Sequence, residues 1–304
     1  MLKEMESEAA RDALAFSEFM RATGTKVLNE AGSLWVEVAR SVYQAVPFEN
    51  KISAAAIDYV AVHAHGAGVV RHCCMDGEGV PSYRHVIKAP YSMNSLSGKT
   101  RNQTRRGCER CRTAPLSPGE VLAETGKLNA LTFSRQGRRL TISRRRYWKR
   151  YFEAALKFDQ AEYWGAWVGC DLAAFLLAFR IGVTRNILIV RSDPKYLNAY
   201  PNNALIYNYA MWSLSKVQEA EISIGFKPIQ GELSGLKRFK EGMGFRREYI
   251  EERVSVGSRL SFILWPISRL AVRSLLRIGV SSEMLRKLNG LQAVCELQLK
   301  GNDG

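Results

Sequence analysis

The chain has 304 residues, of which 46% are hydrophobic, 10% aromatic and 24% charged, the balance of a globular protein of one large or two smaller domains and not of a disordered or fibrous one. Its six cysteines, at positions 73, 74, 108, 111, 170 and 295, have neither the density nor the spacing of a disulfide scaffold, so reduced thiols are expected. The net charge of +15 is concentrated: Lys99 to Arg150 holds fifteen Lys and Arg against Glu109, Glu120 and Glu124, a net +12 in 52 residues, and such a field favours an anionic partner.

The amino terminus, MLKEMESEAARDALAF, has acids where a secretory signal needs basic residues and no long apolar run, which predicts a cytoplasmic protein. Residues 1–50 are predicted helical, with apolar residues at Leu14, Phe16, Phe19 and Met20 and again at Leu34, Trp35, Val38 and Val42. Ser53 to Val62 fits either a strand or a buried helix. The turn-rich stretches 63–68 and 76–81 flank a short strand at Val69 to Cys73, and His63 and His65, without nearby acids, are read as loop residues and not as a metal pair. Tyr83 to Lys88 is an early strand.

A basic helix follows. Lys99, Arg101, Arg105 and Arg106 gather on one side of it, where mutual repulsion costs about 0.2 to 0.5 kcal/mol per pair, so an anionic substrate group is expected there. Cys108 and Cys111 form a CxxC with basic neighbours and no second CxxC, which predicts no zinc. Arg144, Arg145 and Arg146 begin a helix whose apolar side is Tyr147, Trp148, Tyr151, Phe152 and Ala155. Three cations there oppose the macrodipole by roughly 0.3 to 1 kcal/mol each, and either an anion or a solvated basic face accounts for them.

From Tyr163 the pattern sharpens. Tyr163 to Val168, Leu172 to Phe179 and Asn186 to Arg191 predict an antiparallel meander turning at Gly169 to Asp171 and at Gly182. A polar loop, Ser192 to Asn203, leads to a helix that Asn202 or Asn203 can cap. Ala220 to Phe226 is the next strand. Leu236, Phe239 and Met243 mark a short helix stopped by Gly242 or Gly244, and Glu248 to Val256 is the last strand. Beyond it, Ser258 to Val280 has no apolar run of the roughly 20 residues needed to cross a bilayer. After Pro266, Arg269, Arg273 and Arg277 repeat opposite Ile267, Leu270, Leu275 and Ile278, a basic amphipathic helix that lies on an anionic membrane or docks on the protein's own core.

Three of these segments together resemble one family. Gly235 to Arg246 (GLKRFKEGMGFR, with Lys237 and Lys240), Ser95 to Arg112 (SLSGKTRNQTRRGCERCR) and Tyr200 to Tyr207 (YPNNALIY), preceded by Gly169 to Phe179, resemble in order and spacing the Fem-like GNAT acyltransferases, the group related to peptidoglycan-bridge aminoacyl transferases. The resemblance covers roughly residues 82–256. It implies an α/β (α+β) fold, a GNAT-like mixed and mostly antiparallel sheet flanked by helices, with an α/β portion over 1–81, the transferase core over 82–257 and a helical tail over 258–304. It also implies an acyl donor, an acyl-CoA or another acyl carrier, and no metal. The Gly-rich diphosphate loop of acetyl-CoA users is missing: Arg191 to Asn203 reads RSDPKYLNAYPNN, which disfavours acetyl-CoA.

Under that resemblance Lys195, Tyr196, Tyr200, Asn202, Asn203 and Tyr207 join Lys99, Arg101, Arg105, Arg106, Lys237 and Lys240 as substrate or anion contacts. Asp193 and Asp171 are the carboxylates nearest the expected site. The expected activity is N- or O-acyl transfer to an amine or hydroxyl of an anionic, cell-envelope glycan or lipid-linked precursor, at the inner face of the cytoplasmic membrane. Two rival classes stay open: a non-enzymatic nucleic-acid binder, favoured by the basic, aromatic stretch Arg135 to Phe152, and a membrane-associated assembly factor without activity.

Overall fold

The computed structural model describes residues 2–30, 32–53, 55, 68–75, 77–138, 140–217, 219–231, 233–257, 262–277 and 283–301. His63, His65, most of Ser53 to Val62 and tail residues 258–261 and 278–280 lie outside the described residues. In chain order, helix α1 (Leu2–Ala22) is followed by strands β1 (Val27–Glu30), β2 (Ser33–Ala39), β3 (Val42–Val46), β4 (Lys51–Ile52), β5 (Val69–Cys74) and β6 (Val80–Lys88). Then come helix α2 (Gly98–Arg110), strand β7 (Arg112–Pro115) and helices α3 (Pro118–Arg135) and α4 (Ile142–Ala155). Strands β8 (Ala161–Val168), β9 (Asp171–Ile181) and β10 (Thr184–Ser192) precede helix α5 (Pro201–Lys216) and strand β11 (Glu221–Phe226). Helix α6 (Ser234–Gly242), strand β12 (Arg246–Val256) and helices α7 (Pro266–Arg277) and α8 (Glu283–Gly301) complete the series. Met1–Gly24, His85–Gly225 and Ser234–Arg247 form one compact unit, and Thr25–Arg84, Phe226–Leu233 and Glu248–Gly304 a second.

In the first unit the strand order is β11-β10-β9-β8-β7, and β8, β9 and β10 form the expected antiparallel meander. Leu172 to Phe179 of β9 is buried throughout because helices cover both faces, which is why it reads as an unbroken apolar run. Alternation still sorts the side chains. Ala174, Leu176 and Ala178 share a core with Leu205 and Tyr209 of α5, while Phe175 and Phe179 meet Phe152 of α4 and Phe16 and Phe19 of α1. Each fully buried Phe or Leu of this kind stabilises by about 1.5 to 3 kcal/mol. One buried carboxylate pins α1 in place. Asp12, 0% exposed, accepts from Arg180 Nη1 at 2.9 Å, Gln160 Nε2 at 2.9 Å and the Gly182 N–H at 3.0 Å.

The second unit corrects the expectation for residues 27–46. They form the β1-β2-β3 meander, not a second helix, because Gly32 and Ser41 adopt φ of +70° and +58° and turn the chain twice. The β-branched Val27, Val36, Val42 and Val46 suit the pleated surface between those turns. Trp35, Tyr43 and Val70 make the buried core. Strand β5 runs parallel to β3 and antiparallel to β12.

In the tail, Val272 of α7 is buried, and Arg269 and Arg273 reach Glu296 of α8 at 3.0 and 3.1 Å. Two of the three expected cationic contacts are therefore engaged within the chain, since α8 carries an acid opposite them. Outward, Phe262, Trp265, Ile267 and Leu270 are exposed, Ile267 at 78%. No described helix is long and apolar enough to cross a membrane.

Candidate active site

The parallel strands β10 and β11 are paired only from Thr184 to Asn186 against Glu221 to Ser223. Strand β10 continues to Ser192 and β11 to Phe226, so the two part toward their carboxyl ends. A register shift between Ile187 and Ile189 marks a bulge where the divergence begins, and bulges bend the strand that carries them. The result is a wedge inside a sheet, with one edge of β10 free to pair with an extended ligand as a missing strand would. A carbonyl lying there would meet backbone N–H groups, the usual device for stabilising an oxyanion.

Beyond β10, Asp193 accepts the Lys195 N–H at 2.8 Å and starts a 3-10 turn over Pro194–Ala199. Tyr200 then adopts φ of +57°, a left-handed conformation that costs a bulky residue about 1 to 2 kcal/mol. The surroundings hold it. Arg110 Nη1 donates to the Asn198 carbonyl at 3.1 Å, Cys111 Sγ lies 3.5 Å from the Ala199 carbonyl, and Gly107 lets α2 approach so closely that a Cβ there would sit 2.7 Å from the Tyr200 oxygen. Neither asparagine caps α5. Tyr200 is the N-cap without a side-chain bond, Asn202 Nδ2 reaches Ser192 Oγ at 3.2 Å, and Asn203 Nδ2 is buried 3.6 Å from Met243 Sδ. The physical reason is Pro201 at the first helical position, which presets the turn without a capping side chain.

The expected site residues do not form one cluster. Lys195, Tyr196 and Asp171 make one group: Lys195 Nζ is 2.7 Å from Tyr196 Oη and 3.5 Å from Asp171 Oδ2, and Tyr196 donates to the same carboxylate. The Tyr196 and Lys195 hydrogen bonds hold the Asp171 carboxyl below its usual range, which makes it a weaker proton acceptor. At the amino end, α2 packs on α6, where a methyl on Gly242 would collide with Thr100. A groove of about 650 Å³ there is lined by Lys99, Thr100, Gln103, Arg238 and Phe239, so the first and last segments of the family resemblance do meet. Arg105 and Arg106 are exposed, Arg101 Nη2 turns back to the Leu96 carbonyl at 3.2 Å, Lys237 is half-buried and Lys240 is buried. The Tyr207 ring packs against Tyr91 at 5.7 Å. Cys108 and Cys111 are packing thiols, both pushed up chiefly by burial. Among the described residues no group of three or more His, Cys, Asp or Glu is placed to hold a metal.

One residue escaped sequence reasoning. Arg191, at the unpaired end of β10, donates Nε–H to Asn129 Oδ1 at 2.7 Å and Nη1–H to the Val190 carbonyl at 3.0 Å. Its guanidinium lies 5.5 Å from the ring centres of both Phe133 and Trp148. Burial, first of all, pulls its pKa down to about 10. The signal that could have found it is a lone cation ending the apolar run Ile187 to Val190, since charges are almost never buried without a partner or a purpose.

No family model and no curated sequence matches the chain. Its fold, however, is shared with solved structures. FemX superposes with a TM-score of 0.56 at 11% identity over 86% of this chain and 98% of its own. The C-terminal DUF2156 domain of a putative lysylphosphatidylglycerol synthetase from Agrobacterium fabrum gives 0.54 at 10% over 86% and 96%. A conserved protein of unknown function from Bacteroides thetaiotaomicron gives 0.54 at 12% over 83% and 92%. What these likenesses define is the fold alone, a GNAT-like mixed, mostly antiparallel sheet flanked by helices with a helical tail.

Proposed function

We propose that the chain is an acyltransferase that moves an acyl group from an activated carrier to an amine or hydroxyl of a cell-envelope glycan or lipid-linked precursor. The observation that carries this reading is the wedge between β10 and β11 in a fold shared with FemX and with a putative lysylphosphatidylglycerol synthetase, whose name couples an aminoacyl group to an anionic lipid. The acyl arm lies along the free edge of β10, and the acceptor nitrogen or oxygen attacks the carbonyl carbon. The carbonyl electrons move to oxygen, return as the carrier's sulfur or oxygen leaves, and the acceptor's proton ends on the leaving group or solvent. Positioning and backbone N–H stabilisation supply most of the rate. Asp193, tied to the Lys195 N–H, and Asp171 are the carboxylates this reading takes as candidates for accepting the acceptor's proton.

The tail fits the same reading: the apolar outward face of α7 and its flanking Arg277 suit an anionic lipid surface, where such an acceptor resides. Two measurements on the full chain test the transferase reading. A panel of acetyl-CoA, long-chain acyl-CoA and aminoacyl-tRNA donors is offered with amino-sugar and lipid-headgroup acceptors, and products are read by mass spectrometry. Hydrogen exchange of the 187–192 amides is followed with each donor. Transfer from a donor that also protects these amides is the expected result; neither transfer nor protection with any of them sinks the reading. Micromolar acetyl-CoA binding abolished by substitutions over Lys195 to Asn203 would restore ordinary acetyltransferase chemistry.

A further inference from the structure

Four other arginines enclosed in this protein have carboxylate partners. Arg71 pairs with Glu252, Arg84 with Glu248, Arg180 with Asp12 and Glu8, and Arg185 with Glu162. Arg191 differs. Its acceptors are a neutral amide and a backbone carbonyl, and no carboxylate among the described residues pairs with it. Of the groups that act on it from further out, Tyr151 favours its charged form and Arg138, another cation, opposes it. Phe133 and Trp148 offer cation–π attraction, but they do not neutralise the charge. Arg191 is half-buried, and even partial desolvation of a cation is costly without an acid beside it; the four pairs above offset that cost with a carboxylate.

The place is also informative. Arg191 sits at the end of β10, past the point where β11 has parted, on the sheet face covered by α3 and α4. Its partners Asn129 and Trp148 also line a cleft of about 300 Å³ whose charged residues are Arg145, Lys149 and Glu153, with Lys149 Nζ 3.8 Å from the Glu153 carboxylate, so that Arg145 is its cation in excess. A guanidinium has five donors in a planar fork, and the Nη2 side of Arg191 makes no hydrogen bond to a described residue. We propose that Arg191 is the counter-charge for an oxyanion of the acceptor substrate, a phosphate or a carboxylate, bound bidentately at the mouth of the wedge. This rests on the transferase reading only for the word acceptor; the oxyanion site itself stands on the missing carboxylate.

The test uses the full chain and inorganic phosphate, pyrophosphate and acetate, each titrated against chloride at constant ionic strength while the melting temperature is followed. A ligand of the native state raises it progressively, and the ranking of the three separates a phosphate site from a carboxylate site. Asn129→Asp is the decisive variant because it places a carboxylate of the same size beside Arg191. It is expected to melt higher than the unaltered chain in chloride and to lose the oxyanion response. Arg191→Met is expected to lose the response and to melt no lower than the unaltered chain, since an uncompensated charge has been removed. If Asn129→Asp keeps the full response, or if no oxyanion shifts the melting temperature, the inference is wrong. An Arg191-dependent response without acyl transfer would leave this site standing and overturn the transferase reading. Transfer that is unaffected in rate and acceptor KM by Arg191→Met would do the reverse.

Discussion

Gly107→Ala and Gly126→Ala are the same substitution in two helices, and the structure gives them opposite signs. A methyl on Gly107 would lie 2.7 Å from the Tyr200 carbonyl oxygen and 3.2 Å from Ala204 Cβ, whereas a methyl on Gly126 meets nothing within 4 Å. Alanine gains about 0.5 to 1 kcal/mol over glycine inside a helix. At Gly107 that gain is set against overpacking of about 1 to 3 kcal/mol, because the obstacle is backbone and the carbonyl belongs to a residue already held at positive φ. The net expectation is a loss of about 1 to 2 kcal/mol for Gly107→Ala and a gain of about 0.5 to 1 for Gly126→Ala. At roughly 2 to 4 °C per kcal/mol for a domain of 150 to 250 residues, the two melting temperatures should move apart by several degrees. Thermal and urea unfolding followed by circular dichroism provide the assay. Because the Gly107 clash presses on the turn that starts α5, donor binding should weaken in that variant and stay unchanged in the other. An unaltered or raised melting temperature for Gly107→Ala would refute the claim that α2 and the Tyr200 turn are in close contact.

Three further outcomes are expected. Asp12→Ala should cost ~3 kcal/mol in chemical denaturation, as for a broken buried pair, while Glu8→Ala, which removes the more exposed partner of the same Arg180, should cost under about 1 kcal/mol; similar costs would contradict the assignment of Asp12 as the anchor of α1. At pH 8 a chromogenic disulfide should label one thiol per chain quickly, and Cys170→Ser should remove that phase, since Cys170 is exposed while burial pushes Cys73 up to about 12 and Cys74 and Cys295 up to about 11; a second fast thiol would count against this packing. Vesicles rich in anionic lipid should co-sediment the chain through Trp265, Ile267 and Leu270, so the triple serine variant should stay in solution, whereas sedimentation equal to that of the unaltered chain would mean this face binds something else.

Local physics made much of the architecture legible. Meander, α5, β11, α6 and β12 were each announced by period-two or helical apolar spacing and by glycines such as Gly182 and Gly244, both at positive φ. The family resemblance rested on segments that the chain brings together as α2, α5 and α6. Residues 27–46 read as helical because Leu34, Trp35, Val38 and Val42 satisfy helical spacing, and only the turns at Gly32 and Ser41, fixed by strand pairing, decide against it. What no window of sequence contains is who faces whom. That Arg269 and Arg273 meet Glu296, that Asn203 turns to Met243 and not to a helix end, and that Arg191 pairs with no acid among the described residues are all consequences of long-range packing. Spacing along a chain sets which side of an element a residue occupies; the dielectric and the partners it finds there belong to the other elements, and they decide whether a cation is a surface charge, half of an ion pair or a site waiting for an anion.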